Sequence, residues 1–301
     1  MNRTDWFYKA GFGLFVHWTP RSLPQNGEHK PHAQAILDFD LDTFVSQIVE
    51  TGAKFVFFTI SHAHMHLPFP LPELDEIVPN HTSSRDLIDE LATALEKHNI
   101  KLMVYFNGDG CLDPEWNEPT KTYTDGFAHA EYCYKIVEAV SKKYGKKING
   151  WWIDCCYTAG ICHEYGKYYD YERFANAMRA GNPDSIVAFN FRGVEPWGCD
   201  WGKGIADYQA GEMNDLSFYP SGRFSGEGDT QWFGLCWMDK FWVNETEGEP
   251  VPVHSNEKAL AYIKKVIENG GVFAYNVAPW QEGRISEKTM EQLRFLAKNL
   301  K

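Results

Sequence analysis

The sequence lacks the long apolar segments that direct a protein to export or to a membrane. Its N-terminus, Met-Asn-Arg-Thr-Asp-Trp, has no apolar core of a secretory signal. No apolar run reaches the roughly 18 residues that a membrane span needs. A signal removed before this sequence begins would leave no trace in it. The pattern favours a cytoplasmic protein with reduced thiols, and it predicts no membrane partner.

Basic clusters, metal-binding Cys spacings and nucleotide-binding turns are also missing. The formal net charge is −12, from 29 Lys and Arg against 41 Asp and Glu, which argues against nucleic acid as a partner. No CxxC spacing occurs among the seven Cys, and the adjacent Cys155 and Cys156 are expected to be buried thiols. Gly11 and Gly13 precede the core of the first predicted strand instead of opening a helix, so no dinucleotide site is expected, and no cofactor is predicted.

What the chain does contain is an alternation of short apolar strands with amphipathic helices. The predicted strands cover residues 9–18, 54–60, 101–107, 148–153, 186–190 and 272–277, with shorter ones near Ile205 and Trp232. The predicted helices cover residues 44–50, 84–98, 128–144, 171–180, 257–269 and 286–300. About eight strand–helix units fit this length, and no linker or repeat interrupts them. The sequence therefore predicts the α/β class, as a (β/α)8 TIM-like barrel in one domain, residues 1–301, rather than an open doubly wound sheet.

Polar and aromatic side chains recur where the predicted strands end. They are His17 and Trp18, His62 and His64, Tyr105 and Asn107, Asp154, and Asn190 and Arg192. A barrel brings the carboxyl ends of its strands together, and active sites lie there. Asp154 ends a buried aromatic run, where an ionised carboxylate is costly unless a function needs it. We therefore expect Asp154 to be a catalytic nucleophile.

Two features leave the ligand class open. The 11 Trp and 15 Tyr suit a carbohydrate site, and they suit an aromatic-rich core equally well. Residues 62–66 read His-Ala-His-Met-His, and period-two spacing would place three imidazoles on one side of an extended chain. Three prolines within residues 68–72 favour a loop instead, so we expect no metal. The alternatives are a metal-dependent barrel hydrolase using His62 and His64, and a non-catalytic carbohydrate-binding barrel.

Several segments together resemble one enzyme family. They are Gly-Leu-Phe-Val-His-Trp at residues 13–18, the strand 51–62, Trp-Ile-Asp at 152–154, and the segments 269–279 and 282–286. The chain resembles the α-L-fucosidase family of retaining glycoside hydrolases, family 29, over nearly its whole length. The resemblance implies a barrel that hydrolyses a glycoside through a covalent intermediate.

The resemblance also implies roles for individual residues. Asp154 falls on the nucleophile motif, and Glu212 lies in a segment similar to the one that carries the acid/base, with Glu28 and Glu195 as competitors. A carbohydrate substrate is the implied partner. The implied substrate contacts are His17, Trp18, Glu28, His62, His64, Tyr105, Trp152, Arg192 and Trp232.

Two departures from the family pattern bear on specificity. Ala63 stands where the family has the second His of a pair, and His29 stands where it has a Trp. Both positions lie in the family's fucose pocket, so the sugar preference is expected to differ. The chain also stops where many members continue into a β-sandwich, which predicts a catalytic barrel alone.

Overall fold

The protein alternates strands and helices along the chain. The computed structural model describes residues 2–110, 112–157, 165–191, 205–225 and 228–300. In this part of the chain the strands are β1 (Phe12–Val16), β2 (Phe55–Thr59), β3 (Lys101–Phe106), β4 (Ile148–Ile153), β5 (Ile186–Phe189), β6 (Glu212–Met213), β7 (Phe233–Trp237) and β8 (Val272–Val277).

Ten α-helices are found in the same described ranges. They are α1 (Asp5–Ala10), α2 (His32–Asp38), α3 (Leu41–Glu50), α4 (Pro72–Asp75), α5 (Leu87–Glu96), α6 (Pro114–Asn117), α7 (Gly126–Tyr144), α8 (Tyr171–Arg179), α9 (Asn256–Glu268) and α10 (Glu287–Asn299). Aspartate and serine side chains cap most of the longer ones, for example Asp40 on Thr43 N and Ser286 on Thr289 N.

The strands of the described residues form one parallel sheet in the order β5-β4-β3-β2-β1-β8-β7-β6. A backbone hydrogen bond of 2.9 Å from Asp207 N to Val187 O joins β5 to the segment that precedes β6. Pairing of β1 with both β2 and β8 gives the strand order of a TIM-like barrel, with β5 and β6 at the two edges of the sheet. The predicted TIM-like α/β architecture is thereby confirmed.

Alternation along each strand divides the core into two layers. Inside the sheet lie Phe15, Phe57, Tyr105 and Trp152, which pack together in one cluster. Their neighbours in sequence belong to a second cluster, between the sheet and the helices. Strands buried on both faces read as continuous apolar runs, which is why their period-two pattern is hard to see in the sequence.

The structure differs from the elements predicted from the sequence in three places. The first strand does not begin at Lys9, because Lys9 and Ala10 end α1, and Gly11, at φ +66°, turns the chain into β1. The expected loop after the first strand contains α2, which begins at His32 without a side-chain cap. Ile205 lies in a turn, and the sixth strand is at Glu212–Met213 instead.

Two further findings concern the cysteines and the lengths of the helices. Cys133, Cys155, Cys156 and Cys236 are buried, as predicted for Cys155 and Cys156. No helix within the described ranges is both long and apolar enough to cross a bilayer.

Candidate active site

Asp154 follows the last residue of β4 and faces the mouth of the sheet. Its backbone N–H donates to Phe106 O of the neighbouring β3 over 3.0 Å, so the strand pairing fixes where the side chain begins. The next residue, Cys155, has a left-handed backbone at φ +56°. This conformation is unusual for a residue other than glycine. It accompanies a hydrogen bond of 2.8 Å from Cys155 N–H to the Oδ1 atom of Asp154.

The carboxylate of Asp154 is surrounded by hydrogen-bond donors. Its Oδ2 accepts from the Tyr105 hydroxyl over 2.6 Å. Its Oδ1 accepts from the Tyr157 hydroxyl and from Asn190 Nδ2, each over 3.0 Å, in addition to the Cys155 N–H. Only an acceptor satisfies this set, which fits the ionised carboxylate. The charge and the low polarity around Tyr105 and Tyr157 raise the pKa values of both phenols, chiefly through burial, so both remain donors.

Glu212 is the second carboxyl group of the site. It is the first residue of β6 and pairs in register with Leu235 of β7. Burial, and then the negative charge of Asp154, raises the pKa of Glu212 from 4.5 to about 7, although the hydrogen bond from Asn190 opposes this. Asn190 Nδ2 donates to Glu212 Oε2 over 2.7 Å. One amide nitrogen therefore contacts both carboxyl groups.

Both carboxyl groups open into a cavity of about 330 Å³. Its lining residues come from the ends of several strands and from the segment after β7. They are His17, Arg21, His62, Trp152, Asp154, Tyr157, Glu212, Leu235, Lys240, Phe241, Trp242, Val243 and Glu245. Aromatic walls with a few convergent polar groups are typical of a small-molecule site.

Two histidines on this wall are neutral. Asn276 Nδ2 donates to Trp242 O, so its Oδ1 is the atom that lies 2.6 Å from His17 Nδ1 and accepts from it. Burial is the main cause that lowers the pKa of His17 to about 3, so its Nε2 is an acceptor. Burial, and then the charge of Arg21, lowers the pKa of His62 to about 4. Within the described chain, His62 Nδ1 is buried without a hydrogen-bond partner.

The structure brings together most of the residues selected from the sequence. His17, His62, Trp152, Asp154 and Glu212 line the cavity. Tyr105 contacts two of these residues from inside the barrel. Its ring stacks on Trp152 at a centroid distance of 5.3 Å, and its hydroxyl donates to Asp154.

Other selected residues lie elsewhere. Trp18 is fully buried in the outer layer, where its Nε1 donates to Gln281 O and its ring packs on Phe39. Trp232 immediately precedes β7 and is therefore at the opposite end of that strand from the cavity. Glu28 is exposed on a surface loop.

His64 and three further residues selected from the sequence, His29, Arg192 and Glu195, are not part of the cavity lining that the structure describes. His64 is only half-buried, and its N–H pairs with His62 O across the turn at Ala63, which has φ 57°. His29 is exposed and lines an outer hollow instead of the cavity. Arg192 and Glu195 lie outside the described residues.

Sequence reasoning did not select Tyr157, Arg21 or Lys240, and it recognised Asn190 only as the end of a strand. Asn190 carried a usable signal, because it directly follows β5, the neighbour of β4. Arg21 and Lys240 reach the cavity from loops, for which the sequence gives no geometric guide. Among the described residues, no group of three or more His, Cys, Asp or Glu could hold a metal ion, so the His-Ala-His-Met-His segment does not form the metal face considered above.

A parallel TIM-like barrel with two close carboxyl groups, one directly after β4 and one on the short strand β6, is typical of the class of barrel glycoside hydrolases. The family profile described as Alpha-L-fucosidase matches residues 30–301. The chain belongs to the α-L-fucosidase family.

Known relatives agree with this assignment. The tissue alpha-L-fucosidases of Macaca fascicularis and Homo sapiens are each 22% identical to the chain, and the matches cover 98% and 97% of it and 66% of each relative. The chain thus spans about two thirds of the length of these relatives.

Solved structures share the fold. Alpha-L-fucosidase AlfC from Lactobacillus casei, in complex with alpha-L-fucose product, has a TM-score of 0.70 at 16% identity, covering 98% of this chain and 97% of that one. The endo-fucoidan hydrolase P5AFcnA, from glycoside hydrolase family 107, has a TM-score of 0.71 at 13% identity, covering 98% and 92%.

Proposed function

We propose that this protein hydrolyses α-L-fucosides, or closely related glycosides, by double displacement with retention of configuration. Asp154 attacks the anomeric carbon, and Glu212 first protonates the leaving oxygen and then activates water. The observation that carries the proposal is the pair of contacts from Asn190 Nδ2 to Asp154 Oδ1, at 3.0 Å, and to Glu212 Oε2, at 2.7 Å. Family membership and the fucose-bound structural relative support the choice of sugar.

The spacing of the two carboxyl groups supports retention. Asp154 Oδ1 and Glu212 Oε2 both contact Asn190 Nδ2, so the distance between these two oxygens cannot exceed the sum of the two contact distances. The limit applies to the closest oxygen of each group, and a single amide nitrogen that bridges the two groups favours a separation shorter than the roughly 6.5–9.5 Å of inverting enzymes, which need room for a water between the groups. Such a separation is consistent with the roughly 5–5.5 Å of retaining enzymes.

The surroundings of each carboxyl group fit one role. Glu212, with its pKa raised to about 7 by burial and by the charge of Asp154, is protonated in about half of the molecules at neutral pH, and this form can give its proton to the leaving oxygen. Asp154 is held by donors. Three of them bind Oδ1, and Tyr105 alone binds Oδ2. Oδ2 therefore keeps the more accessible lone pair, and we assign the attack on carbon to it.

The sugar would be held by the histidines and aromatic rings of the cavity. Neutral His17 offers Nε2 as an acceptor for a sugar hydroxyl, since its Nδ1 is committed to Asn276. His62 Nδ1, buried without a partner in the described structure, offers a second polar group. Trp152 and Trp242 supply apolar walls on which a sugar face can pack.

Rescue by azide tests both assignments with an aryl α-L-fucoside. In Asp154→Ala, azide should occupy the space of the lost carboxylate and give a fucosyl azide of inverted configuration. In Glu212→Ala, the phenolate can still leave, and azide should then attack the glycosyl-enzyme to give the azide of retained configuration. Glu28→Ala is the control, and a retained azide from Glu28→Ala in place of Glu212→Ala would overturn the assignment of Glu212.

A non-catalytic carbohydrate-binding barrel predicts a different result. Such a protein would bind fucoside without consuming it, and Asp154→Ala would behave as the wild type does. Hydrolysis by Asp154→Ala at the wild-type rate would likewise exclude the double-displacement mechanism through this residue.

A further inference from the structure

Arg21 carries a hydrogen-bond donor that the protein itself does not use. The residue lies in the loop after β1 and lines the same cavity as Asp154 and Glu212. Its Nε atom is buried and has no hydrogen-bond partner in the part of the chain that the structure describes. A guanidinium stays protonated, so this N–H is always a donor and never an acceptor. Leaving such a donor buried and unpaired costs free energy, and an oxygen of a bound ligand would offset that cost.

The main chain around Arg21 is fixed on both sides. Arg21 N–H donates to Thr19 Oγ1 over 3.2 Å, and Ser22 N–H donates to Thr19 O over 2.9 Å. Leu23 N–H donates to Asn244 O over 2.8 Å, which ties this loop to the segment after β7. The side chain of Arg21 therefore starts from a defined place at the edge of the cavity.

The end of the Arg21 side chain is held by Glu245. Nη1 of Arg21 lies 2.8 Å from Glu245 Oε2, and both side chains are 38% exposed. An ion pair with this exposure adds little to stability, so stability alone does not explain why it stands at the cavity. The pair restricts the orientation of the guanidinium while its Nε stays buried and unused. A donor that is held in place before the ligand arrives is the arrangement that specific binding needs.

His62 lies beside Arg21 on the cavity wall. Burial is the main cause that lowers the pKa values of His62 and His64, and the charge of Arg21 contributes at both. Arg21 and His62 line one cavity, and each keeps a buried nitrogen that no described residue pairs with. Unpaired buried polar atoms are rare in folded proteins, so two on neighbouring side chains of one cavity indicate a polar ligand.

The charges of the cavity favour a neutral oxygen as the partner of Arg21. The carboxyl groups of Asp154, Glu212 and Glu245 line it against two cations, Arg21 and Lys240. Glu245 already balances the charge of Arg21. A sulfate or carboxylate on the ligand would meet more negative than positive charge there, whereas a hydroxyl oxygen would not.

We propose that Arg21 is a specificity-determining residue, and that it donates its Nε–H to one ring hydroxyl of the sugar held next to Asp154. This inference rests on the proposed hydrolysis of fucosides, and it adds a contact that neither the sequence pattern nor the family resemblance selected. A sugar that lacks this hydroxyl leaves the buried donor unpaired and is therefore a poorer substrate.

Single-hydroxyl analogues provide the test. The substrates are 4-nitrophenyl α-L-fucoside and its 2-, 3- and 4-deoxy analogues, and the measurement is kcat/KM for each. Arg21→Met keeps the length of the side chain and removes its donors, so kcat/KM for the fucoside should fall about 10- to 100-fold. The fall should disappear on the one deoxy analogue that lacks the partner hydroxyl, and it should persist on the other two.

Arg21→Lys separates the hydrogen bond from the charge. Lysine keeps a positive charge near Glu245 and places a methylene where Nε stands. It should show the same loss on the fucoside and no loss on the same deoxy analogue, and it gives this comparison even if Arg21→Met does not fold.

The matched control is Arg294→Met on α10. Arg294 is 39% exposed and pairs with Glu50 over 2.6 Å, much as Arg21 pairs with Glu245, but it lies on an outer helix. It should leave kcat/KM at the wild-type value on all four substrates.

Glu245→Gln distinguishes substrate binding from a purely structural ion pair. It weakens the pair but keeps the Nε–H of Arg21, so it should reduce kcat/KM for the fucoside less than Arg21→Met does. Losses of equal size in both variants, the same on all four substrates, would mean that Arg21 only joins the two loops, and the inference would be overturned.

The outcomes separate this inference from the proposed function. If the wild type hydrolyses none of the four substrates, the proposed function fails, and the role of Arg21 fails with it. If the wild type hydrolyses the fucoside but no deoxy analogue abolishes the effect of Arg21→Met and Arg21→Lys, only the role of Arg21 is overturned. A preference for a sulfated 4-nitrophenyl α-L-fucoside over its neutral parent would overturn the choice of a neutral oxygen.

Discussion

The ends of β4 and β6 carry the two carboxyl groups of the candidate site in opposite surroundings. At the end of β4, Asp154 accepts hydrogen bonds from Tyr105, Tyr157, Asn190 and the Cys155 N–H. On β6, Glu212 accepts one from Asn190, and burial beside Asp154 raises its pKa to about 7. The same amide nitrogen therefore contacts a carboxylate held by several donors and a carboxyl group whose pKa is raised.

This difference shows how one barrel produces two roles from two similar side chains. Donors stabilise charge on Asp154, and the resulting charge is itself one reason that Glu212 resists ionisation. The two environments are therefore linked, and substitutions at one end have consequences at the other. Four changes test this comparison, beginning with the largest expected effect.

Asp154→Asn should lower kcat/KM for an aryl α-L-fucoside by ~10⁴-fold, the order of loss expected when one member of a catalytic group is removed. The amide is a poor nucleophile, and its N–H₂ faces the donors that held the carboxylate. Steady-state kinetics on the purified variant provide the measurement. Asp207→Asn is unsuitable as a control, because Asp207 pairs with Arg3 and Arg179. The exposed Asp42→Asn should retain wild-type activity. If Asp154→Asn were as active as Asp42→Asn, Asp154 would not be the nucleophile, and the difference in role between Asp154 and Glu212 would be excluded.

Glu212→Gln should make the protein more resistant to unfolding at alkaline pH. The folded-state pKa of about 7 lies above the ordinary 4.5, so between these values the unfolded chain loses its proton first and stability falls as pH rises. Above pH 7 the accumulated penalty is about 3 kcal/mol. Glutamine cannot ionise, and its carbonyl can still accept from Asn190.

The measurement is urea unfolding at pH 5 and pH 8. The stability of Glu212→Gln relative to the wild type should rise by up to about 3 kcal/mol between these pH values. The exposed Glu96→Gln serves as the control, with no such rise. An equal pH response in both variants would mean that Glu212 does not hold its proton in the folded protein.

The β4 end of this comparison could largely be predicted from the sequence. An apolar run that stops at Asp154 marks the end of a buried strand, and His17, His62 and Tyr105 lie at or near the ends of other strands. Glu212 could not be found in this way, because β6 has two residues and no apolar run announces it. Only the family resemblance pointed to that residue.

The side of the sheet that a residue faces was harder to predict. Phe15 packs inside the barrel and His17 lines the cavity above it, so alternation sends Trp18 outward, to the layer under the helices. The placement of Trp232 depends on where β7 begins. Because Trp232 directly precedes β7, it lies at the end of the barrel opposite the cavity. Continuous apolar strands hide this alternation, and boundaries are set by tertiary pairing that the local sequence does not contain.

Asn190→Ala should affect both carboxyl groups at once. Loss of a hydrogen bond to a charged acceptor is expected to lower kcat/KM by ~10- to 100-fold. The bond from Asn190 also lowers the pKa of Glu212, so its removal should shift the alkaline limb of the kcat/KM profile to higher pH. The matched control is Asn107→Ala, at the end of β3, which should leave that limb in place. A limb that moves to lower pH would contradict the shared role of Asn190.

Tyr157→Phe should have the smallest effect, because it removes one of three donors to Asp154 Oδ1 and leaves Glu212 untouched. We expect kcat/KM to fall by ~10-fold with no movement of the alkaline limb. Tyr171→Phe is the control, since the Tyr171 hydroxyl donates to Gly166 O and contacts neither carboxyl group. The contrast with Asn190→Ala is the critical result. Tyr157 contacts only Asp154, so its loss should change the rate and not the pH profile. Asn190 contacts both carboxyl groups, so its loss should change both. If Tyr157→Phe shifts the limb as Asn190→Ala does, the two strand ends do not act as separate environments.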